Sequence, residues 1–250
     1  MSEYTTAFGN PVKAECSKPE KPSLLYKYLD VNGAVAMLAN SNIQFTHAIN
    51  LNDPFDCHPG LIENSDDMMD ITPERLAKIA EMGGYGYFSK ENRDYTYVCS
   101  LSKIFDSILM WSYYTNAHRG VCIGLNMQSL NKSFKFIDFD VEYPDSLIKY
   151  NAAIGTNMEA FKHQLATKAP EWKHEKEVRL LIPPVHQQHT EDHRYFEISR
   201  ESFAVIYLGA NISGEDSGDI ITIARRLNPN IKIYKMIVNP DAFKLDYVQI

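Results

Sequence analysis

The sequence predicts an α+β fold, a mixed or antiparallel sheet core with helices packed outside it. Three observations carry this. Short β-rich runs outnumber helical segments along the chain. Neighbouring runs are often joined by short polar turns, as in hairpins. No repeat period, low-complexity tract or internal linker divides the chain. Residues 23–250 therefore read as a single α+β domain. Residues 1–22 read as a flexible, weakly ordered N-terminal arm, with Pro11, Pro19 and Pro22 among polar and charged residues.

The elements follow in chain order. Ser23 to Leu29 is a short apolar strand with Lys27 inside it. Val31 to Ala39 is a helix, with Asp30 able to cap it and Ala, Val, Met and Leu at helical spacing. Asn42 to Thr46 is a strand. Asn50 to Asp56 is a turn-rich loop whose Asn and Asp side chains can bond their own backbone. Thr72 to Met82 is a helix, with Thr72 as cap, Pro73 in the first turn and Gly83-Gly84 as its stop. Thr96 to Ser102 is a strand. Asp106 then caps a helix over Ser107 to Asn116. Gly120 to Leu125 is apolar enough to be a central strand. Phe134 to Tyr143 gives one or two more strands. Asn151 to Thr167 is a helix with Ile154, Met158, Phe161 and Leu165 on one stripe. Strands follow over Glu177 to Ile182, Tyr195 to Ile198 and Phe203 to Leu208. Ser213 opens the last helix, Glu215 to Arg226, and strands over Ile231 to Ile237 and Phe243 to Val248 end the chain.

Composition narrows the function classes. The 250 residues are ample for a buried core, and 44% apolar with 23% charged residues is ordinary for a globular protein. The net charge of −7, with no basic run, argues against a dedicated nucleic-acid binder. The four cysteines, Cys16, Cys57, Cys99 and Cys122, form no Cys-x-x-Cys pair. No disulfide framework is suggested, which fits a reducing compartment. No stretch approaches the ~18 apolar residues of a membrane helix, and the N-terminus lacks a hydrophobic signal core. A cytoplasmic protein with no membrane partner is the expectation.

Chemistry concentrates in one stretch, Trp172 to Pro183. Glu175 and Glu177 stand at i and i+2 before a strand-like run. If the strand begins by Glu175, both carboxylates point to one face, about 7 Å apart along the chain. That arrangement presents two acids to one substrate. The competing reading is an edge-strand salt-bridge ladder with Lys176 and Arg179.

The landmarks Tyr26-Lys27-Tyr28, Asn52-Asp53-Pro54-Phe55-Asp56, Cys99-Ser100-Leu101-Ser102, Met110-Trp111-Ser112-Tyr113-Tyr114, Gly120 to Gly124 and Trp172-x-x-Glu175-Lys176-Glu177-Val178-Arg179 occur in this order. Together they resemble the bacterial domain-of-unknown-function family 2971 from about Leu25 to the C-terminus. A second resemblance concerns mechanism. Ser100-Leu101-Ser102 and Glu175-Lys176-Glu177, the latter followed by a strand, look like the Ser-x-Ser and Glu-x-Glu motifs of arginine-type ADP-ribosyltransferases. The early-strand Arg of that pattern is absent, and Lys27 between two tyrosines is what the strand offers. Lys lacks the planar fork of Arg, so the pyrophosphate contact is where the chain departs.

This second resemblance implies an ADP-ribosyltransferase-like sheet core and NAD as substrate, with no metal. Transfer of ADP-ribose passes through an oxocarbenium-like transition state, as in glycoside hydrolysis. Glu177 would stabilise it and bond the ribose, and Glu175 would orient or deprotonate the acceptor. Ser100 and Ser102 would hold the ribose and the second carboxylate. Lys27, beside Tyr26, would meet phosphate, and Trp111, Tyr113 or Tyr114 would stack on nicotinamide. The acceptor would be a protein or nucleic acid, or water in a glycohydrolase. A bacterial toxin or phage-defence role would suit such chemistry.

Other readings compete residue by residue. Trp111, Tyr113 and Tyr114 read as a packed helix face, Lys27 as a strand lysine reaching for solvent, and Asp53 and Asp56 as loop-fixing residues. A binding module of the same fold that does not catalyse is the first alternative. Asp53, Asp56, Glu175 and Glu177 around a hard cation would make a metal-dependent nuclease. His186, His189 and His193 have zinc-like spacing but sit in a polar loop, and Cys57-His58 is an isolated pair.

Overall fold

A computed structural model of the chain describes residues 22–63, 92–151, 157–182 and 191–250. Its strands are β1 (Leu24–Leu29), β2 (Asn42–His47), β3 (Ile62–Glu63), β4 (Tyr97–Ser102), β5 (Val121–Asn126), β6 (Ile137–Asp140), β7 (Tyr150–Asn151), β8 (Glu177–Ile182), β9 (His193–Glu197), β10 (Phe203–Leu208), β11 (Lys232–Val238) and β12 (Leu245–Gln249). Its helices are α1 (Val31–Asn40), α2 (Ile108–Tyr114), α3 (Met127–Ser133), α4 (Asn157–Leu165) and α5 (Gly214–Leu227). The fold is α+β, with a mixed and mostly antiparallel sheet. The expected helix over Thr72 to Met82 and most of the N-terminal arm lie outside the described residues.

Ten strands form one sheet, and its topology creates the site. One half runs β12-β11-β10-β5-β1, and the other holds β9, β2, β4, β8 and β6. All pairs are antiparallel except β10 with β11. The halves meet where β1 pairs β4 at one register position, Tyr26↔Ser102. At its other end the same edge of β4 pairs β2 at Tyr97 and Val98. Between these points β4 and β1 splay apart. Lys27 of β1 spans the opening, its ammonium donating to the Ser100 carbonyl at 3.0 Å. A side chain thus satisfies an acceptor that a continuous ladder would have paired.

Both faces of the sheet are packed. On one face α1 lies against α5, burying Ala34, Met37, Ile220 and Ala224 over Leu25, Ile123, Val178 and Ile206. On the other face α2 sets Met110 and Trp111 over Tyr28, Cys122 and Tyr207. Local chemistry explains the boundaries. Asp30 accepts from Gly33 N at 2.7 Å and starts α1. Ser213 accepts from Asp216 N and starts α5. The cap of α2 is Ser107, which accepts from Met110 N, and not Asp106.

Four expectations need correcting. Helix α2 stops at Tyr114, because Asn116, Ala117 and His118 all take left-handed backbone angles. Gly120 N donating to the Thr115 carbonyl at 2.7 Å then closes the turn. Helix α3 was unforeseen: Asn126 caps it by accepting from Ser129 N, so the following strand begins at Ile137 and not Phe134. Tyr150 and Asn151 pair with Ile62 and Glu63 in a small parallel ladder of β7 and β3, so α4 starts after Asn151. Strand β9 begins at His193, two residues early, because it pairs Thr46 there.

Gly120, just before β5, lies close against the backbone at the end of β1. A Cβ there would lie 2.1 Å from the Leu29 carbonyl oxygen. Backbone cannot yield as a side-chain tip can. Gly120→Ala is expected to cost about 1–3 kcal/mol. Urea unfolding checks this, and an unchanged midpoint would show that the loop absorbs the methyl.

Candidate active site

The site forms at the sheet split. From β1 come Tyr26, Lys27 and Tyr28, and from β4 Ser100, Leu101 and Ser102. Tyr114 reaches it from the last turn of α2. Asn52 and Asp56 come from the loop after β2, Lys168 from the segment after α4, and Glu175 and Glu177 from either side of the entry to β8. The cavity is about 110 Å³. It is small against the roughly 300–1,000 Å³ of ordinary small-molecule pockets.

Glu175 and Glu177 do share the pocket, but not as i and i+2 of a strand. Glu175 ends a 3₁₀ segment, Pro170–Glu175, and Lys176 is left-handed at φ 45°. Strand β8 starts only at Glu177. Nor is β8 an edge. It lies between β4 and β6, so the Lys176–Arg179 surface ladder does not form. Lys176 is exposed, while Arg179 is wholly buried at 0% exposure.

Arg179 is the hub of a buried ionic network. Its Nε donates to Glu177 Oε1 at 2.8 Å, and Nη2 to Asp56 Oδ1 at 2.7 Å. Nη1 donates to the Leu165 carbonyl at 2.9 Å. Asp56 is therefore an ion-pair partner, while Asp53 fixes the loop by accepting from Phe55 N at 2.9 Å. The Lys168 ammonium lies 2.6 Å from Glu175 Oε2, 3.3 Å from Glu177 Oε2 and 3.7 Å from Asp56 Oδ2. Tyr114 donates to Glu175 Oε1 at 2.5 Å, and the Tyr143 hydroxyl accepts from Glu177 N. The Ser102 hydroxyl donates to the Glu175 carbonyl at 2.6 Å, and Ser100 bonds the Glu177 carboxylate.

These contacts set the charge states. Burial alone would raise the Glu177 carboxyl, but the charges of Arg179 and Lys168, with hydrogen bonds from Arg179 and Ser100, hold it at about 2. Burial would lower the Lys168 ammonium, yet Glu177, Asp56 and Glu175 together raise it. Burial outweighs Arg179 and Lys168 at Asp56, whose carboxyl is raised. The Tyr114 hydroxyl is raised by burial and by Glu175. The site thus holds a carboxylate, Glu177, that stays ionised across the neutral range.

A pH dependence follows. The depressed Glu177 carboxyl stabilises the fold above its ordinary value of 4.5, and this is lost as pH falls through about 2. Asp56 contributes in the opposite direction, because its raised carboxyl favours the protonated form in the fold. Stability should fall from pH 4.5 towards 2 with a slope that is reduced in Glu177→Gln. Urea midpoints measured against pH for both chains test this. Equal slopes would remove Glu177 as the source.

The structure divides the residues singled out in the sequence. Tyr26, Lys27, Ser100, Ser102, Tyr114, Glu175 and Glu177 line one pocket. Trp111 does not. It is fully buried, donates its indole N–H to the Phe105 carbonyl at 2.7 Å and meets Tyr28 edge-on. Tyr113 is 62% exposed beside His174 and turned away from the cavity. Successive helical residues diverge by about 100°, so Tyr113 and Tyr114 could not both face the site. Lys27 is held by a backbone carbonyl and does not reach for solvent.

Lys168, Arg179 and Asn52 were not foreseen in the site, and Asp56 was weighed there only as a ligand of a hard cation. Two had a signal. Lys168 is the lone charge in Leu165-Ala-Thr-Lys-Ala-Pro170, and Arg179 the lone charge in Val178-Arg-Leu-Leu-Ile182. A charge inside an apolar run is buried only when paired. Among the described residues no group of three His, Cys, Asp or Glu side chains has the geometry to hold a metal ion. Around Asp56, Glu175 and Glu177 the positive charge is supplied by Lys168 and Arg179. His186 and His189 lie outside the described residues, and His193 bonds Gln44. His58 accepts from Gly60 N in a local turn. Among the described residues no helix is long and apolar enough to cross a membrane.

A family model described as "Protein of unknown function (DUF2971)" matches residues 110–180. The match supports the first resemblance read from the sequence, and it spans Tyr114, Lys168, Glu175, Glu177 and Arg179. No curated protein and no solved structure matches the chain.

Proposed function

We propose that this pocket cleaves the glycosidic bond of NAD and passes ADP-ribose to a macromolecular acceptor or to water. One observation carries the reading: a buried carboxylate held ionised at neutral pH, Glu177, shares a pocket at a sheet split with Lys27, Ser100, Ser102 and a second carboxylate, Glu175. Loss of nicotinamide breaks the bond between C1 of the ribose and the ring nitrogen. The electron pair leaves with nicotinamide, and positive charge develops on the ribose. An anion fixed beside that charge stabilises the transition state more than the ground state. A carboxyl held at about 2 is a poor proton acceptor at neutral pH, so the role of Glu177 is electrostatic. Its Oε2 takes long contacts from Lys168 and Arg179, both 3.3 Å, to which a ribose hydroxyl would add a shorter bond. Glu175, bonded by Tyr114 and Lys168, is the group placed to orient the incoming hydroxyl or amine and take its proton. In this reading the nicotinamide riboside end of NAD faces the cavity, which must widen from its 110 Å³ to take it, and the phosphates lie towards Lys27.

A second reading is a nucleotide-binding module that does not catalyse. It is favoured by Lys27, which stands where the transferase pattern has Arg and whose ammonium is engaged by the Ser100 carbonyl.

The deciding experiment incubates the purified full-length chain with NAD, with and without cell extract, and follows free nicotinamide. Glu177→Gln and chelator-treated samples run beside it, and calorimetry measures NAD binding. Release that needs Glu177 and survives chelator supports the enzyme. Binding without release supports the module. Neither binding nor release from folded protein overturns both readings.

A further inference from the structure

The separation of Glu175 and Glu177 is not set by strand geometry. Lys176 between them turns the backbone into the left-handed region, so the regular i, i+2 spacing of a strand does not apply. Something else must hold two carboxylates, which repel each other, in one small pocket.

Lys168 is placed to do this. It follows α4, where its backbone N donates to the Glu142 carbonyl at 3.0 Å. Its side chain is buried, and its ammonium lies within 4 Å of three carboxylates. The contacts are 2.6 Å to Glu175 Oε2, 3.3 Å to Glu177 Oε2 and 3.7 Å to Asp56 Oδ2. The Trp172 ring covers the ammonium, with its centroid 4.7 Å away. A desolvated cation under an aromatic face binds its anions more strongly than one in water. With one nitrogen within 3.3 Å of both Oε2 atoms, they lie at most about 6 Å apart, near the short carboxylate separations of glycosyl-transfer sites.

We propose that Lys168 is the positioning residue of this pocket: its ammonium, roofed by Trp172, fixes the separation and orientation of Glu175 and Glu177. Arg179 cannot substitute, because it reaches Glu177 and Asp56 with no contact to Glu175 among the described residues. The titratable groups facing Lys168 are Asp56, Glu175, Glu177, Arg179 and Tyr114, with Lys27 lining the same cavity. Only the kinetic part of the test rests on the NAD reading.

The test uses the full chain with ¹³C-labelled glutamate carboxyls and Lys168→Met. Glu175→Gln and Glu177→Gln assign the two resonances. In Lys168→Met the Glu177 carboxyl is expected to titrate about one pH unit or more higher, since an adjacent cation is lost, and the Glu175 resonance is expected to change position as its 2.6 Å partner is removed. Nicotinamide release should lose about tenfold or more in kcat with little change in KM, and the acid limb of its pH profile should move up with the Glu177 carboxyl. If Lys168→Met does not fold, Lys168→Met with Asp56→Asn reduces the charge imbalance and is compared with Asp56→Asn alone. An unmoved Glu177 titration and an unmoved Glu175 resonance in the folded variant would overturn the proposal, whether or not the chain acts on NAD. A merely structural lysine would lower the unfolding midpoint and leave both resonances in place.

Discussion

Arg179→Met is expected to lower folding stability by about 3–5 kcal/mol, the cost of removing one partner from a buried ion pair. The change keeps an unbranched side chain of similar reach. It deletes the donors that satisfy Glu177 Oε1, Asp56 Oδ1 and the Leu165 carbonyl at once. Three carboxylates would then face Lys168 alone in a region closed to water. Urea unfolding of the full chain measures the loss. Asp56→Asn in the same background removes one of the stranded charges and should return part of it. A double-mutant cycle showing no coupling between positions 56 and 179 would sink the ion-pair account. Cys57 offers an independent check. Its thiol lies 3.5 Å from Arg179 Nη1, and burial, opposed by Arg179, pushes it up to about 12. It should stay inert to alkylation until the chain unfolds.

How much of this was legible in the sequence depends on distance along the chain. The Glu177–Ile182 strand, the Asp30 cap and the Ser213 cap were legible because each signal lies within a few residues of the element it sets. Ser100 and Ser102 alternate on one strand, so their sharing a pocket follows from period two. Arg179 alternates with Glu177 in the same way, and the two do lie on one face. What period two cannot say is that this face is interior. Both neighbours of β8, β4 and β6, come from far upstream. The Asp56–Arg179 pair joins residues 123 apart in the chain. No local pattern carries such a contact. Lys168 is a nearer miss. Seven residues separate it from Glu175, but a 3₁₀ segment and not a regular helix brings them together. The aromatic triplet of α2 shows the reverse. Helical geometry alone could have separated Tyr113 from Tyr114, whereas the burial of Trp111 needed the packing against Tyr28.

The largest functional effect is expected from Glu177→Gln. Nicotinamide release should fall about 10²–10³-fold in kcat, the loss typical of removing one preorganised electrostatic stabiliser. Gln is the informative replacement. Ala would strand Arg179 Nε, whereas the Gln carbonyl can still accept from it. The charge balance also favours a folded product. Asp56 and Glu175 would face Lys168 and Arg179, two negative against two positive, where Glu177 now makes three negative. Gln brings one defect, an amide N–H₂ directed towards the Lys168 ammonium if its carbonyl faces Arg179. That should cost some stability without abolishing cooperative unfolding. In the proposed reading the contacts to Lys27 and the serines are kept and the ribose hydroxyl can still bond the Gln amide, so KM should change little and the loss should appear in kcat. A folded Glu177→Gln chain that releases nicotinamide at the wild-type rate would remove Glu177 from the chemistry. The ionic network would then be a device for joining β8 to the loop of Asp56. Calorimetry of NAD on that same variant separates what is left: affinity retained without Glu177 would place ligand recognition on Lys27, Ser100 and Ser102, and lost affinity would place it on the carboxylate.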